Sequence, residues 1–292
     1  MSSKIALLQA NPVVGDIAGN ANLIAKLAKQ AAKEGASFAV TTELAISGYP
    51  PRDLLLQTDF VEECHNVASS LNTEIPVLVG TPVPPTSSRS LPGNGVVRAG
   101  DSVREVTRKQ LLPTYDVFDE ARYFEADERP GIARTIAGLD IGVTICEDAW
   151  QHCGATPNDY DSDPIAQIVE WGRQGVVLDA TVNLSASPYH ANKSETRIAV
   201  ARSAAASLNH PFLLANQVGG NDDLLFDGRS IIAWPDGTAV VAPAWSQGVM
   251  ITDLSNPNGC LWLGDGNVTI LSPGEELNED EDDLLNAIIT GL

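Results

Sequence analysis

The sequence predicts an α/β fold built from two mixed β-sheets, each covered by helices on its outer face. Two observations carry this expectation. Short apolar runs alternate with segments whose apolar residues recur at helical spacing, the pattern of strands joined by helices. Among them lie stretches that read as tight hairpins, and hairpins require antiparallel pairing in a chain whose alternation otherwise implies parallel strands.

The elements follow in order. Lys4-Ile-Ala-Leu-Leu-Gln9 is a short apolar run that reads as a buried strand. From about Asn20 to Glu34, Leu23, Ile24, Leu27, Ala28 and Ala31 recur at helical spacing, and Gly35 supplies a stop. Phe38 to Thr41 is the next strand, Asp53 to Leu71 the next amphipathic helix, and Pro76 to Gly80 another strand. Two hairpins are then expected, Asn94 to Arg98 with Val103 to Arg108, and Ala133 to Ala137 with Ile141 to Ile145 around Gly138-Leu139-Asp140. Asp163-Pro164 supplies the cap and first turn of a helix ending at Gly175, because the aspartate accepts from free N–H groups and proline lacks one. Val176 to Val182 then reads as a strand, Ser194 to Leu208 as an alanine-rich helix and Phe212 to Val218 as a strand. Arg229 to Trp234 pairs with Thr238 to Val241 around Pro235-Asp236-Gly237. After Val249 to Asp253 regular order is expected to weaken. Gly274 to Asp283 is acidic, and Leu284, Leu285, Ile288 and Ile289 then restart a helical apolar face. The chain thus divides into one body over 1–272 and, over 273–292, an acidic linker with the start of a helix leading towards a further domain.

Composition narrows the function classes. With 38 acidic against 18 basic residues the net charge is −20, which repels nucleic acid phosphates and anionic lipid heads. Neither nucleic acid nor a membrane is an expected partner. The apolar stretches are too short to span a bilayer and no targeting segment opens the chain, so a cytoplasmic location is expected. Cys64, Cys146, Cys153 and Cys260 are widely spaced and form no CxxC pair, which argues against both a disulfide framework and a zinc site. No metal is expected.

Hydrolysing an unactivated amide without a metal needs a nucleophile, a proton carrier and a cation for the developing oxyanion. Three residues at strand ends offer this set. Glu43 follows the strand Phe38 to Thr41, Lys109 ends Val103 to Arg108, and Cys146 ends Ile141 to Ile145. Taken singly, each has a plainer reading, as a solvated charge or a small packing residue.

Their surroundings decide between those readings. Glu43 sits in Thr42-Glu-Leu-Ala-Ile-Ser-Gly-Tyr-Pro-Pro51, Lys109 opens Lys109-Gln-Leu-Leu-Pro-Thr-Tyr-Asp-Val-Phe-Asp-Glu-Ala-Arg-Tyr-Phe124, and Cys146 lies in Ile145-Cys-Glu-Asp-Ala-Trp150. These segments resemble the three catalytic segments of the nitrilase superfamily. Together with Asn183-Leu-Ser-Ala-Ser-Pro188 and the block from Asn216 to Ser230, they look like the glutaminase domains of glutamine-dependent NAD synthetases in particular. The resemblance implies a four-layer α-β-β-α sandwich, a Cys146 nucleophile, a Glu43 base, a Lys109 cation and a second glutamate, Glu120, holding the lysine in place. It also implies contacts with the ends of L-glutamine from Tyr115, Ser187 and Lys193, with Tyr49, Phe118 and Glu147 of the same motifs as further substrate contacts. Some relatives carry arginine where this chain has Lys193, and an ammonium lacks the bidentate geometry of a guanidinium.

By the same resemblance, ammonia would pass to an ATP-dependent synthetase domain that amidates nicotinic acid adenine dinucleotide. That domain's Ser-Gly-Gly-x-Asp-Ser phosphate loop does not occur in this chain, so ATP and magnesium belong to it and the glutaminase step needs no cofactor. The superfamily's pairing of sandwiches implies a homo-oligomer. Three alternatives stand beside this reading: a nitrilase-type amidase acting on a free small amide, a catalytically silent regulatory module of a synthetase, and a Cys/His hydrolase. The last would need one of His65, His152, His190 or His210 as base, and none lies in a supporting motif.

Overall fold

A computed structural model describes residues 4–87, 90–128, 130–157, 159–274 and 281–291. The chain forms β1 (Lys4–Gln9), α1 (Ile17–Lys33), β2 (Ala36–Val40), α2 (Thr58–Ser70), β3 (Val77–Val83), β4 (Gly93–Ala99) and β5 (Arg104–Arg108). There follow β6 (Gly131–Ile136), β7 (Leu139–Ile145), α3 (Pro164–Arg173), β8 (Ala180–Ser185), α4 (Lys193–Leu208) and β9 (Phe212–Asn216). The last part comprises β10 (Val218–Asn221), β11 (Leu224–Asp227), β12 (Ile231–Ala233), β13 (Ala239–Val241), β14 (Gly248–Asp253), β15 (Asn256–Gly264), β16 (Asn267–Leu271) and α5 (Glu281–Thr290).

Two sheets form the centre. One has eight strands in the order β16-β15-β14-β1-β2-β3-β4-β5, the other six in the order β13-β12-β9-β8-β7-β6. Alternation along each strand explains how they stack, since successive side chains point to opposite faces. Ile5 and Leu7 of β1 and Val40 of β2 meet Val143, Val182 and Leu213 of the second sheet between the layers. The alternate residues Ala6, Leu8 and Ala39 turn outward onto Ile24, Leu27 and Ala28 of α1 and Cys64 and Ala68 of α2. On the far side Phe212 and Leu214 face Ile165 of α3 and Val200, Ala201 and Ala204 of α4. The result is the expected α-β-β-α sandwich.

The boundaries differ from the periodicity reading at several places. α1 starts at Ile17 because the Asp16 carboxylate caps it by accepting the Gly19 N–H at 2.9 Å. The helix expected over Asp53 to Leu71 splits into a 3-10 turn, Arg52–Leu56, and α2, because Gln57 between them is extended (φ −94°, ψ 108°) and interrupts the hydrogen-bond ladder. The strand expected over Val176 to Val182 lies instead at Ala180–Ser185, where it pairs with β7 from Ile141↔Ala180 to Ile145↔Leu184. Val177 is 78% exposed, so its apolar character reports no burial. The strand expected to run through Val218 stops at Asn216, and Val218 begins the β10–β11 ribbon.

Order does not weaken after Asp253. β15 and β16 continue the eight-stranded sheet as an antiparallel meander. Their mixed polarity hid them, with Val268 and Ile270 largely exposed. Of the acidic linker, residues 275–280 lie outside the described residues. α5 is anchored at Asp283, whose carboxylate accepts from Arg229 Nη2 and, at 2.7 Å, from Trp245 Nε1. Leu284, Leu285, Ile288 and Ile289 are each more than half exposed. Among the described residues no helix is long and apolar enough to cross a membrane, and no group of three or more His, Cys, Asp or Glu could hold a metal ion.

Candidate active site

Three strand ends deliver three side chains to the junction of the two sheets. β2 ends at Val40, and the segment carrying Glu43 then passes β3 at Gly80, where an added Cβ would collide with the backbone of Thr42 and Leu44. Only glycine permits that approach. Lys109 follows β5, and its N–H donates to the Asn94 carbonyl of β4 at 2.8 Å. Cys146 follows β7 and opens a 3-10 turn, Cys146–Ala149, with φ at +43°. A non-glycine residue in the left-handed region costs on the order of 1–3 kcal/mol and persists where its neighbours hold it. Here Asn183 Nδ2 donates to the Cys146 carbonyl at 3.3 Å.

All three side chains are buried, Glu43 and Lys109 to 1% exposure and Cys146 to 6%. Lys109 Nζ donates to Glu43 Oε1 at 2.7 Å and to Glu120 Oε1 and Oε2 at 2.9 and 2.8 Å. Glu43 also accepts from Asn94 Nδ2 at 2.7 Å and from the Ala186 N–H at 3.1 Å. Glu120 pairs with Lys109 and not with Arg122, which faces Asp119.

Burial dominates the electrostatics. It would lower the Lys109 ammonium, but the charges of Glu120 and Glu43 outweigh it and hold the group well above its usual value. Glu120 is pushed up to about 7 by burial, against the opposing pull of Lys109. Burial, joined by the charge of Glu43, holds the Cys146 thiol well above its usual value, although Lys109 acts in the other direction. Cys146 therefore rests as a thiol, and attack requires a base that removes its proton during the reaction.

A cavity of about 330 Å³ opens onto Cys146 and is lined by Tyr115, Phe118, Glu147, Trp150, Ser187 and Lys193. Among its lining residues Glu147 and Lys193 carry opposite charges, and the exposed Asp116 adds a second carboxylate at its rim. The Glu147 carboxylate accepts from the Tyr115 hydroxyl at 2.7 Å and the Tyr160 hydroxyl at 3.1 Å. The Lys193 ammonium stands 5.4 Å from the Trp150 ring centre and 6.0 Å from that of Phe118. Burial lowers its affinity for a proton. The cavity can take a ligand carrying an ammonium and a carboxylate, with a third group at the sulfur.

Of the residues singled out in the sequence, Glu43, Lys109 and Glu120 bond one another and their charges all act on Cys146, while Tyr115, Phe118, Glu147, Ser187 and Lys193 line the cavity with it. Tyr49 does not. Its hydroxyl donates to Glu120 Oε1 at 2.8 Å, which turns it away from the substrate-contact role expected of it and behind the ion pair. Asn94, Asn183, Trp150 and Tyr160 were not singled out. Asn94 owes its place to strand pairing, and Tyr160 lies in a loop without pattern; Trp150 and Asn183 carry a signal, as the last residue of the Cys146 motif and the first of the Asn183-Leu-Ser-Ala-Ser-Pro188 block. Among the described residues no histidine bonds Cys146: His152 meets Asp163 and Ser207, His190 the Ala191 carbonyl, and His210 Thr181.

Comparison with known proteins shows the family and the fold. A family model described as carbon–nitrogen hydrolase matches residues 4–258. A glutamine-dependent NAD(+) synthetase of Synechocystis sp. is 39% identical over 246 residues, which cover 81% of this chain and 43% of that protein. One of Xylella fastidiosa is 36% identical, covering 82% and 42%. The chain therefore spans less than half the length of these curated relatives. Among solved structures, a glutamine-dependent NAD+ synthetase from Acinetobacter baumannii in complex with ADP superimposes with a TM-score of 0.79 at 26% identity, over 99% of this chain and 51% of that one. A Nesterenkonia AN1 amidase of the nitrilase superfamily shares the fold with a TM-score of 0.69 at 19% identity, over 87% and 90% of the two chains.

Proposed function

The chain belongs to the carbon–nitrogen hydrolase family, and from that membership we propose that it hydrolyses the side-chain amide of L-glutamine to glutamate and ammonia. One observation carries the choice of substrate: the cavity beside Cys146 holds a carboxylate, Glu147, and an ammonium, Lys193. A free small amide has no charges to meet them, whereas the α-ammonium and α-carboxylate of glutamine match both and leave the carboxamide for the sulfur. Each of these two groups gains an opposite charge from the zwitterion and none from a neutral amide, so such a pocket favours the zwitterion.

In the proposed reaction Glu43 takes the thiol proton as Cys146 sulfur bonds to the carboxamide carbon. Lys109 stabilises the oxyanion. At about 4 Å and an effective dielectric near 20 the attraction is roughly 4 kcal/mol before desolvation. Glu43 returns the proton to the departing nitrogen, ammonia leaves and a γ-glutamyl thioester remains. Water, deprotonated by Glu43, then adds to the thioester carbon, and the sulfur leaves with the proton to restore the thiol. Glu120 and Tyr49 keep the ammonium in place. The chain needs no cofactor for these steps.

The relatives are named glutamine-dependent NAD(+) synthetases, which supports NAD synthesis as the destination of the ammonia; we infer that the acceptor is an ATP-dependent synthetase domain that amidates nicotinic acid adenine dinucleotide. We extend the reading to a chain that works with such a domain as its partner, with residues 1–272 as the glutaminase body and 273–292 as the connection, in a homo-oligomer. The test is ammonia release by this chain from L-glutamine against acetamide, propionamide and N-carbamoyl compounds. Glutamine should give the highest kcat/KM. A small amide turned over as well or better overturns the substrate assignment, and no release from any amide overturns the catalytic one.

A further inference from the structure

One buried carboxylate near the site takes no part in the chemistry above. Asp148 is the third residue of the turn that begins at Cys146 and is 1% exposed. Its Oδ1 accepts from the backbone N–H groups of Gln110 at 3.0 Å and Leu111 at 2.9 Å, the two residues that follow Lys109. Its Oδ2 accepts from the N–H of Ile145 at 3.0 Å, the residue before Cys146. β5, which leads to Lys109, is the edge of the eight-stranded sheet, and β7, which leads to Cys146, belongs to the six-stranded one. A single side chain therefore bonds the two sheets at the strand ends that supply cation and nucleophile.

We propose that Asp148 is a positioning residue for the amide hydrolysis, a clamp that sets Lys109 relative to the sulfur of Cys146. The proposal rests on the glutaminase reading. The ammonium of Lys109 is held by Glu43 and Glu120, but the backbone that follows it, at Gln110 and Leu111, is held from the Cys146 side by Asp148. The strained turn at Cys146 (φ +43°) is braced by the same carboxylate through Ile145. An oxyanion site tolerates little slack, since a displacement of about 1 Å can lower the rate on the order of a hundredfold. Burial opposes the charge of Asp148 and pushes it up to about 7, while the three N–H groups and Lys109 favour the ionised form. The isosteric amide introduced by Asp148→Asn has only one acceptor oxygen, so at least one of the three N–H groups would face an NH₂ group or nothing.

The variant D148N tests this through readouts that a merely structural role leaves unmoved. Expected are a kcat on glutamine at least tenfold lower, a KM within threefold of the parent, and a displaced pH profile for iodoacetamide alkylation of Cys146 per folded molecule. A folded D148N with parental kcat and parental alkylation profile overturns the proposal. Hydrogen exchange in the unmodified chain gives a second measurement: the amides of Gln110, Leu111 and Ile145 should all be protected. Exchange of Gln110 and Leu111 at open-loop rates overturns the clamp, whether or not D148N folds. The parent is assayed alongside. Absence of ammonia release there sinks the glutaminase reading, whereas an active parent with an unaffected D148N sinks the clamp alone.

Discussion

Lys109 Nζ lies 2.7 Å from Glu43 Oε1, and neither side chain is exposed to solvent. The same ammonium also bonds both oxygens of Glu120. One cation thus stands between two carboxylates, all three buried, and their charges act on a neighbouring thiol. Each charge depends on the others, and this dependence sets the expected behaviour of variants.

Replacing Lys109 by methionine leaves two buried carboxylates without their cation. Removing one partner of a buried pair costs about 3–5 kcal/mol, so K109M should unfold at clearly lower urea concentration. The triple variant K109M/E43Q/E120Q removes the stranded charges and should recover a large part of that loss while remaining inactive. Urea titrations of the two variants check this. Equal destabilisation would mean that the charges are not coupled as the distances indicate.

Cys146→Ala should lower glutaminase activity by a factor of roughly 10⁴ or more and abolish covalent trapping by a diazoketone analogue of glutamine. Cys64→Ala and Cys260→Ala change buried residues and Cys153→Ala an exposed one, and all three should keep activity and trapping. Mass spectrometry of the trapped protein locates the adduct. Trapping that survives in Cys146→Ala would assign the nucleophile elsewhere.

Lys193→Met and Glu147→Gln each remove one charge from the cavity. Losing one charged contact of a buried ligand costs about 1.5–3 kcal/mol, so the KM for glutamine should rise on the order of ten- to a hundredfold. Alkylation of Cys146 by the uncharged iodoacetamide should change far less in Lys193→Met. A KM for glutamine unaltered by both variants would place the amino acid elsewhere.

His210 supplies a pH test away from the site. Burial lowers its imidazole to about 4, and Thr181 Oγ1 lies 2.8 Å from Nε2. The folded state thus binds a proton less readily than the unfolded chain, whose histidine titrates near 6.5. The stability this group contributes is complete above about pH 6.5 and is lost progressively as pH falls towards about 4, to a total of up to about 3 kcal/mol. His210→Asn should show a shallower decline across that window in urea titrations at several pH values. Parallel declines for parent and variant would remove His210 as the cause.

The fold was largely legible because burial of a strand or a helix face leaves a local period in the sequence. β1, β12 and β13 appear where the short apolar run Lys4 to Gln9 and the Pro235-Asp236-Gly237 turn place them. The same reasoning misplaced β8, because the polar residues Asn183 and Ser185 are buried and the apolar Val177 is exposed. It also missed β15 and β16, whose mixed polarity shows no clear period.

The sequence by itself determined the layered α/β class and the motifs around Glu43, Lys109 and Cys146, since these depend on residues close together in the chain. Only the tertiary structure decided that Asn94 holds Glu43, that Tyr49 lies behind Glu120 instead of in the cavity, and that Asp148 joins the strand ends of two sheets. Those contacts depend on strand register and on how one sheet is stacked against another. A one-residue slip of register would carry the side chains to opposite faces, and a local pattern records neither the register nor the stacking.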